Sequence, residues 1–473
     1  MSDKKLWVIV VILLLSFYGC NKSNKNYKNA NHKIKNSPNV VVIVIDTLRA
    51  DHLPFYGYSE NTTPFMASLA KKSVLFENTF TASSWTAPAT ASLFTSMYPF
   101  QHKVVMNMLA TLQFNSRIKQ NYKIKLNRIP KGITTIAESF KQQGYATYGV
   151  ADNVNIGKKE GFEQGFDKMV TYNYKTADIV NKTILNWESE MKKKDRYFLY
   201  IQYMDVHQPN HKRERWFKNR KLKDNGGLPI NKVPVEIKKF NQELYYDSEL
   251  NYVDAKIKEL YDRFKWDKNT LVIITADHGE EFWEHGNWGH GHALFREVIH
   301  IPLLFHYSNG GFKTNRIKQN VSIIDILPTL REFIGLPRDK ANEGLSLLKI
   351  LTDGEQNTIN NRFIFSHLLK RKTINNKMIN IESYATIYNK FHYIKSLPGI
   401  KGNYSELIYN LKDDFIEKNN LFLQNKNTAK KLRSQFLHFY NKCRKFKSDI
   451  QTYKGNKKEM ERLKTLGYTT DNK

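Results

Sequence analysis

Three apolar runs along the chain each end on an acidic or imidazole side chain. "NVVVIVID", Asn39 to Asp46, is a continuous β-branched run without polar alternation, the pattern of a strand buried on both faces. "RYFLYIQYMDVH" (Arg196 to His207) and "NTLVIITADHG" (Asn269 to Gly279) repeat that design. Helix patterns lie between them. In "TTPFMASLAKK" Thr63 stands as an N-cap with Pro64 at the first helical position, and "TTIAESFKQQGY" closes on Gly144 just past a helix end. Strands alternating with helices predict an α/β fold: a large, mainly parallel sheet with helices on both faces. From about Asn360 the pattern changes to short aromatic strands, "SYATIYNKFHYIKS" and "ELIYNLKDD", followed by the basic amphipathic stretch "NTAKKLRSQFLHFYNKCRKF". Leu432, Phe436, Phe439 and Tyr440 recur there at helical spacing and predict a core-facing stripe rather than membrane insertion. The expected organisation is an α/β domain over residues 38–358 and a small C-terminal α+β subdomain, with terminal helices, over 359–473.

Parallel sheets gather ligand-binding groups outside the carboxyl ends of their strands, so the three runs deliver Asp46, His207, Asp277 and His278 to one rim. Two carboxylates and an imidazole are a set that can hold a divalent metal. "SSWTAPATASLFTSMYP", Ser83 to Pro99, adds a hydroxyl: Thr86 opens a candidate helix, where the positive helix end suits anions. Two readings of Thr86 stand side by side, a metal-activated nucleophile or a plain N-cap.

Composition narrows the partners. The 473 residues are 41% hydrophobic, enough for a large core, and carry a formal net charge of +29. Such a balance favours anionic membranes, glycans or nucleic acid. The lysines, however, are spread along the chain among many asparagines, and no nucleic-acid-binding motif is present, so no nucleic-acid partner is expected. At the N-terminus, Lys4 and Lys5 precede an apolar run from Leu6 to Leu15 and then Gly19-Cys20. This is the layout of a secretory signal, and it resembles a bacterial lipoprotein signal in which Cys20 becomes the lipidated first residue. The expectation is a signal peptide over 1–20, a flexible Asn- and Lys-rich tether over 21–37, and an exported protein lipid-anchored in a bacterial cell envelope. Only Cys443 remains, so no internal disulfide is expected.

The stretch from "VVIVIDTLRADHLPFYGYSENTTPFMASLA" through "SSWTAPATASLFTSMYP" resembles the opening of the sulfatase family, within the alkaline-phosphatase-like superfamily. "FLYIQYMDVHQPNH", "VIITADHGEEFWEHGNWGHGHALFREVIHIPLLF", "VSIIDILPTL" and "SELIYNLKDDFIEKNNL" resemble its later blocks in the same order. The resemblance implies that Asp46, Asp277 and His278 are metal ligands, that Thr86 occupies the nucleophile position on the same ion, and that His207 contacts the transferred group or serves the leaving group. It places His290 and His292 where a basic group lies near the substrate, without choosing between them. The implied cofactor is one divalent ion: Ca, Mg, Mn or Zn.

The departures from the family pattern are specific. Formylglycine forms from Cys or Ser in a C/S-x-P-x-R motif, whereas this chain has Thr86-Ala87-Pro88-Ala89-Thr90, so no formylglycine is expected. Thr47 stands where a second acidic ligand usually follows the first, and "GVADNVNIG" lacks the Lys and His of the family's G-K-W-H-L-G block. A threonine nucleophile is similar instead to phosphoglycerol and phosphoethanolamine transferases of the superfamily. The leading expectation is a metal-dependent hydrolase of sulfuric or phosphoric esters (of a glycan, a lipid head group or a small molecule) acting through Thr86. A cell-envelope transferase is the alternative, and a catalytically inactive lipoprotein that binds anionic glycans is the reading from a different class.

Overall fold

In the computed structural model, residues 38–105, 123–217, 220–354, 359, 361–374, 377–395 and 406–454 are described. The signal, Cys20 and the tether lie outside these. The strands in chain order are β1 (Asn39–Ile45), β2 (Val74–Phe80), β3 (Lys123–Arg128), β4 (Ala146–Ala151), β5 (Lys168–Thr171), β6 (Tyr197–Tyr203), β7 (Thr270–Thr275), β8 (Glu281–Phe282) and β9 (Trp288–Gly289). They continue with β10 (His300–Tyr307), β11 (Asn315–Ser322), β12 (Ile364–Ile374), β13 (Lys377–Tyr388), β14 (Phe391–Lys395), β15 (Glu406–Asn410) and β16 (Asp449–Lys454).

An eight-stranded sheet in the order β11-β2-β10-β7-β1-β6-β4-β5 forms the body. Every pairing in it is parallel except those of β10, which runs antiparallel to both β2 and β7. The expected mainly parallel α/β sheet is present. β1 lies in the interior of the sheet because its β-branched residues are covered on both faces, Val40 through Ile45 all being fully buried. Its register aligns Ile45 with Tyr203 of β6 and Val44 with Thr275 of β7, so three strands end together.

Local chemistry sets the helices as it did in the sequence, with one change of means. Thr63 occupies the N-cap of Pro64–Ala70, but its hydroxyl makes no cap bond. Asp254, from the long helix Val235–Phe264, takes the Phe65 and Met66 amides instead, each at 2.8 Å. A carboxylate supplied through tertiary packing thus does the work of a local cap. The helix Ile136–Gln142 has the Thr135–Glu138 capping box and passes into Gly144 at φ +76°.

The C-terminal part contains a second, antiparallel sheet, β12-β13-β14-β15. The helix Lys426–Lys442 covers it with the stripe read from sequence: Leu432 and Phe436 are buried, Phe436 stacks on Tyr384 at 3.9 Å, and Tyr440 meets Phe100 at 5.0 Å. His367 N–H of β12 bonds to Ala82 O at 2.8 Å, joining the small sheet to the segment that leads from β2 into Thr86. β16 pairs with β3, and the described residues belong to one compact unit. Among the described residues no helix is long and apolar enough to cross a membrane.

Candidate active site

Asp46 follows β1 directly, and its amide continues the ladder to Tyr203 O at 2.9 Å. Asp277 and His278 follow β7 by one residue, so the register above puts both carboxylates at the same edge of the sheet. The chain turns sharply at Thr47, a β-branched residue at φ +58°, where its amide approaches Asp277 Oδ1 at 3.4 Å. A left-handed conformation there costs on the order of 1–3 kcal/mol and persists because its surroundings fix it, a pattern frequent at functional sites. Gly279 is required after His278: a Cβ there would lie 2.1 Å from Glu297 O.

Asp46, Asp277 and His278 are completely buried, and one ligand atom from each lies within 4.8 Å of the others. His278 Nδ1–H donates to Gly279 O at 2.9 Å, which leaves Nε2 as a lone pair facing Asp46 Oδ1 at 3.6 Å and Asp277 Oδ2 at 3.7 Å. Burial, with His290 beside it, holds the His278 imidazole well below its ordinary pKa and favours its neutral form. Burial also raises both carboxyls, and for Asp277 the neighbouring Asp46 adds to the rise. Asp46 Oδ1 has no hydrogen-bond partner at all. Two carboxylates and an imidazole lone pair converging on one buried point suit a divalent cation, which this oxygen and nitrogen ligand set would hold.

Thr86 Oγ1 joins this cluster, 3.5 Å from Asp46 Oδ2 and 3.3 Å from His278 Nε2. The helix Thr86–Thr95 is buried along its whole length. Trp85, in extended conformation, is its N-cap residue, and Thr86 sits one position inside. The N-cap reading of Thr86 is therefore corrected: its hydroxyl is directed at the acidic cluster and satisfies no helix amide.

Two groups that the sequence reading missed hold Asp46 in place. Asn153 Nδ2 donates to Asp46 Oδ2 at 2.8 Å and to Thr86 Oγ1 at 3.3 Å. Gln202 Nε2 donates to Asp46 Oδ2 at 3.1 Å and to Asp277 Oδ2 at 3.4 Å, its amide oriented because Tyr200 O–H donates to the Oε1 at 2.7 Å. Both carried a signal. Asn153 follows β4 at the same strand edge, and Gln202 is a polar residue inside the apolar run "YFLYIQY".

His207 and His290 complete the rim. His290 lies 4.4 Å from the His278 ring and 4.9 Å from the His207 ring, centroid to centroid. Its Nδ1 bonds Glu280 Oε1 at 2.8 Å. Burial works against charge on His290, yet Glu280 and then Asp46 outweigh it and hold its pKa above the ordinary value. His207 is pushed the other way, by burial and by His290, and its Nδ1 meets the Tyr174 hydroxyl at 2.7 Å and Gln208 O at 2.6 Å. His292 points elsewhere, its Nε2 on Glu281 Oε2 at 2.7 Å. The two histidines part at Gly291, which takes φ +70° between them and whose amide bonds Ser84 O at 2.7 Å; a Cβ added there would lie 3.4 Å from Trp85 Cβ. The loop bearing His290 is thereby latched to the residues that precede Thr86.

The mixed α/β sheet with its Asp-Asp-His cluster at the strand ends has the alkaline-phosphatase-like fold, and comparison with known proteins gives the family. The chain belongs to the sulfatase family, whose sequence profile matches residues 38–336. It is 23% identical over 384 residues to a sulfatase of Formosa agariphila, covering 67% of this chain and 73% of that one. With the delta 4,5-hexuronate-2-O-sulfatase of Bacteroides thetaiotaomicron it shares 20% identity over 441 residues, covering 81% and 84%. Among solved structures, the phosphonate monoester hydrolase of Agrobacterium radiobacter superposes with a TM-score of 0.66 at 17% identity, over 85% of this chain and 95% of that one. The protein is a hydrolase of this family, whose members bind a divalent metal.

Proposed function

We propose that the protein cleaves a sulfuric or phosphoric ester by attack of the Thr86 hydroxyl on the sulfur or phosphorus centre. Asp46, Asp277 and His278 hold one divalent ion, and His207 and His290 serve the transferred anion and the leaving oxygen. The observation that carries this reading is the convergence of Thr86 Oγ1 with the buried Asp46–Asp277–His278 cluster at a helix N-terminus. When bound, the metal would lower the pKa of the nucleophile and offset charge on the group under attack. The chain does the rest. The positive end of the Thr86–Thr95 helix favours the anionic group, Asn153 fixes the Thr86 oxygen, the Thr86 proton leaves along its hydrogen bond to Asp46 Oδ2 as the new bond forms, and protonated His290 gives its proton to the departing ester oxygen as the old bond breaks. Because no residue convertible to formylglycine stands at the site, transfer of the group from Thr86 to an acceptor hydroxyl is the second reading, beside hydrolysis by water.

Similarity to a hexuronate 2-O-sulfatase and to a phosphonate monoester hydrolase motivates a paired test. The purified protein, stripped by chelation, is assayed on matched sulfate and phosphate monoesters and diesters with Ca, Mg, Mn or Zn added back. Turnover restored by one metal on one ester class is expected. Inertness with every metal, together with no stoichiometric metal bound, would leave a non-catalytic binder of anionic glycans.

The raised pKa of His290 gives a pH test. The group is charged below its folded-state pKa and neutral above, so a proton donor here makes kcat fall as pH rises through that value. Glu280→Gln removes the strongest opposing partner to burial and shifts the fall to lower pH. A kcat–pH profile that does not move would take His290 out of this role.

The N-terminal segment supports export with lipid anchoring at Cys20, facing the periplasm or the cell surface. Mass spectrometry of protein expressed with its full leader should find a diacylglyceryl-modified Cys20 as first residue. An intact leader, or a free terminus elsewhere, contradicts it.

A further inference from the structure

We infer that the protein carries a second anion-binding site, for a sulfated or phosphorylated carbohydrate strand, in the cavity where the outer edge of the large sheet meets the small one. This cavity has a volume of ≈ 460 Å³ and is walled by the end of β11, by the β13–β14 turn, and by the residues after β15. β11 is four strands from β1 in the sheet, which places the cavity roughly 19 Å from Asp46 across the strands. It is therefore separate from the Thr86 site.

Its lining is basic and rich in amides. Lys318, Lys390 and Lys412 come from three different parts of the chain, and none has a carboxylate partner among the described residues. Arg362, the remaining cation of the lining, is neutralised by a two-pronged pair with Asp325 at 2.7 and 3.0 Å. The lining contains no acidic residue, so three lysines border one concavity without an opposing charge in its wall; the Lys390 ammonium lies 5.5 Å from the Phe391 ring centroid. Such convergence lowers the energy of an anion placed among them, whereas the same three lysines on a flat surface would each be separately solvated.

The amides point to what accompanies the anion. Asn361 and Asn389 hold left-handed conformations, φ +59° and +53°, at the cavity wall, and no described hydrogen bond occupies either side-chain amide. Gln319 Oε1 is buried without a donor. A bare sulfate offers only acceptors and could not satisfy Gln319 Oε1. A sugar hydroxyl both donates and accepts, which matches free carboxamides and the orphaned oxygen, while an ester group on the same strand meets the lysines. The ligand class fits the ester chemistry proposed at Thr86, but the site binds without turning anything over and does not depend on that chemistry.

Titration calorimetry in a Thr86→Ala background tests it, using a sulfated dextran oligosaccharide, its phosphorylated counterpart, unmodified dextran and inorganic sulfate. The triple variant K318Q/K390Q/K412Q should lose at least tenfold in affinity for the charged oligosaccharides. The control K193Q/K194Q/K268Q, which removes the same charge from an exposed region elsewhere, should stay within twofold. N361A/N389A should weaken the charged oligosaccharides and leave inorganic sulfate unchanged. Whichever of the sulfated and phosphorylated strands binds tighter identifies the ester. Equal losses in the two lysine triples would show general attraction to a basic protein and overturn the site, as would unchanged affinity in the cavity triple with its melting temperature preserved. Failure here would leave activity at Thr86 untouched, and an inert Thr86 would leave this binding intact.

Discussion

Thr86→Ala is expected to reduce kcat at least roughly a thousandfold on any ester the parent accepts, because removal of a nucleophile leaves only what binding and electrostatics contribute. Its effect on stability should be small. The lost contacts are long, at 3.3 to 3.5 Å, and Trp85 rather than Thr86 begins the helix, so no cap is removed. Thr86→Ser keeps the oxygen and should retain measurable activity. Thr86→Asn separates the alternatives, since a mere cap would tolerate it and a nucleophile would not. Stopped reactions of the parent should contain a sulfated or phosphorylated tryptic peptide spanning Thr86. Turnover by Thr86→Ala close to that of the parent would remove the hydroxyl from the chemistry.

Asp277→Asn should act in opposite directions on function and on the metal-free fold. Two fully buried carboxylates share one site, where burial opposes charge on both and Asp46 opposes it further on Asp277. Without a cation, replacing one by a neutral amide relieves that conflict, so the metal-free variant should melt at or above the temperature of the metal-free parent. With metal the order reverses. The parent should gain stability by mass action, about 2.7 kcal/mol at a hundredfold excess over Kd, while the variant gains little and loses turnover. Thermal melts of both proteins across a metal titration, with bound metal measured by elemental analysis, give the comparison. Equal metal-induced shifts in the two would exclude Asp277 as a ligand.

Much of this architecture was visible in the residues alone. The β-branched run ending at Asp46 and the run ending at Asp277-His278 identify central strands, because a strand covered on both faces cannot carry polar positions except at its end. The Leu432–Phe436 stripe identified a packed helix for a similar reason. What stayed hidden depends on contacts distant in sequence. Nothing near Thr86 shows that Trp85 takes the cap position, and nothing in "GVADNVNIG" shows that Asn153 reaches Asp46 across two strands. His290 and His292 have the same chemistry and nearly the same context. Only the turn at Gly291, whose amide bonds Ser84 O, sends one toward His278 and the other toward Glu281.

The position of β1 also governs the order of assembly. The first strand of the described chain lies inside the sheet, and its neighbours are made much later: Val40 aligns with Phe198 on one side and Leu271 on the other. At about 5–20 residues per second, synthesis takes roughly 8–32 s to reach β6, during which "VVVIVI" has neither partner, and roughly 12–46 s to reach β7. Closing loops of that length makes the central pairing slow, and an apolar β-branched segment waiting for it is open to mispairing with other chains. The Asp46 side of the site is therefore finished only when β7 arrives, although Asp46 itself is among the first residues of the sheet to be made.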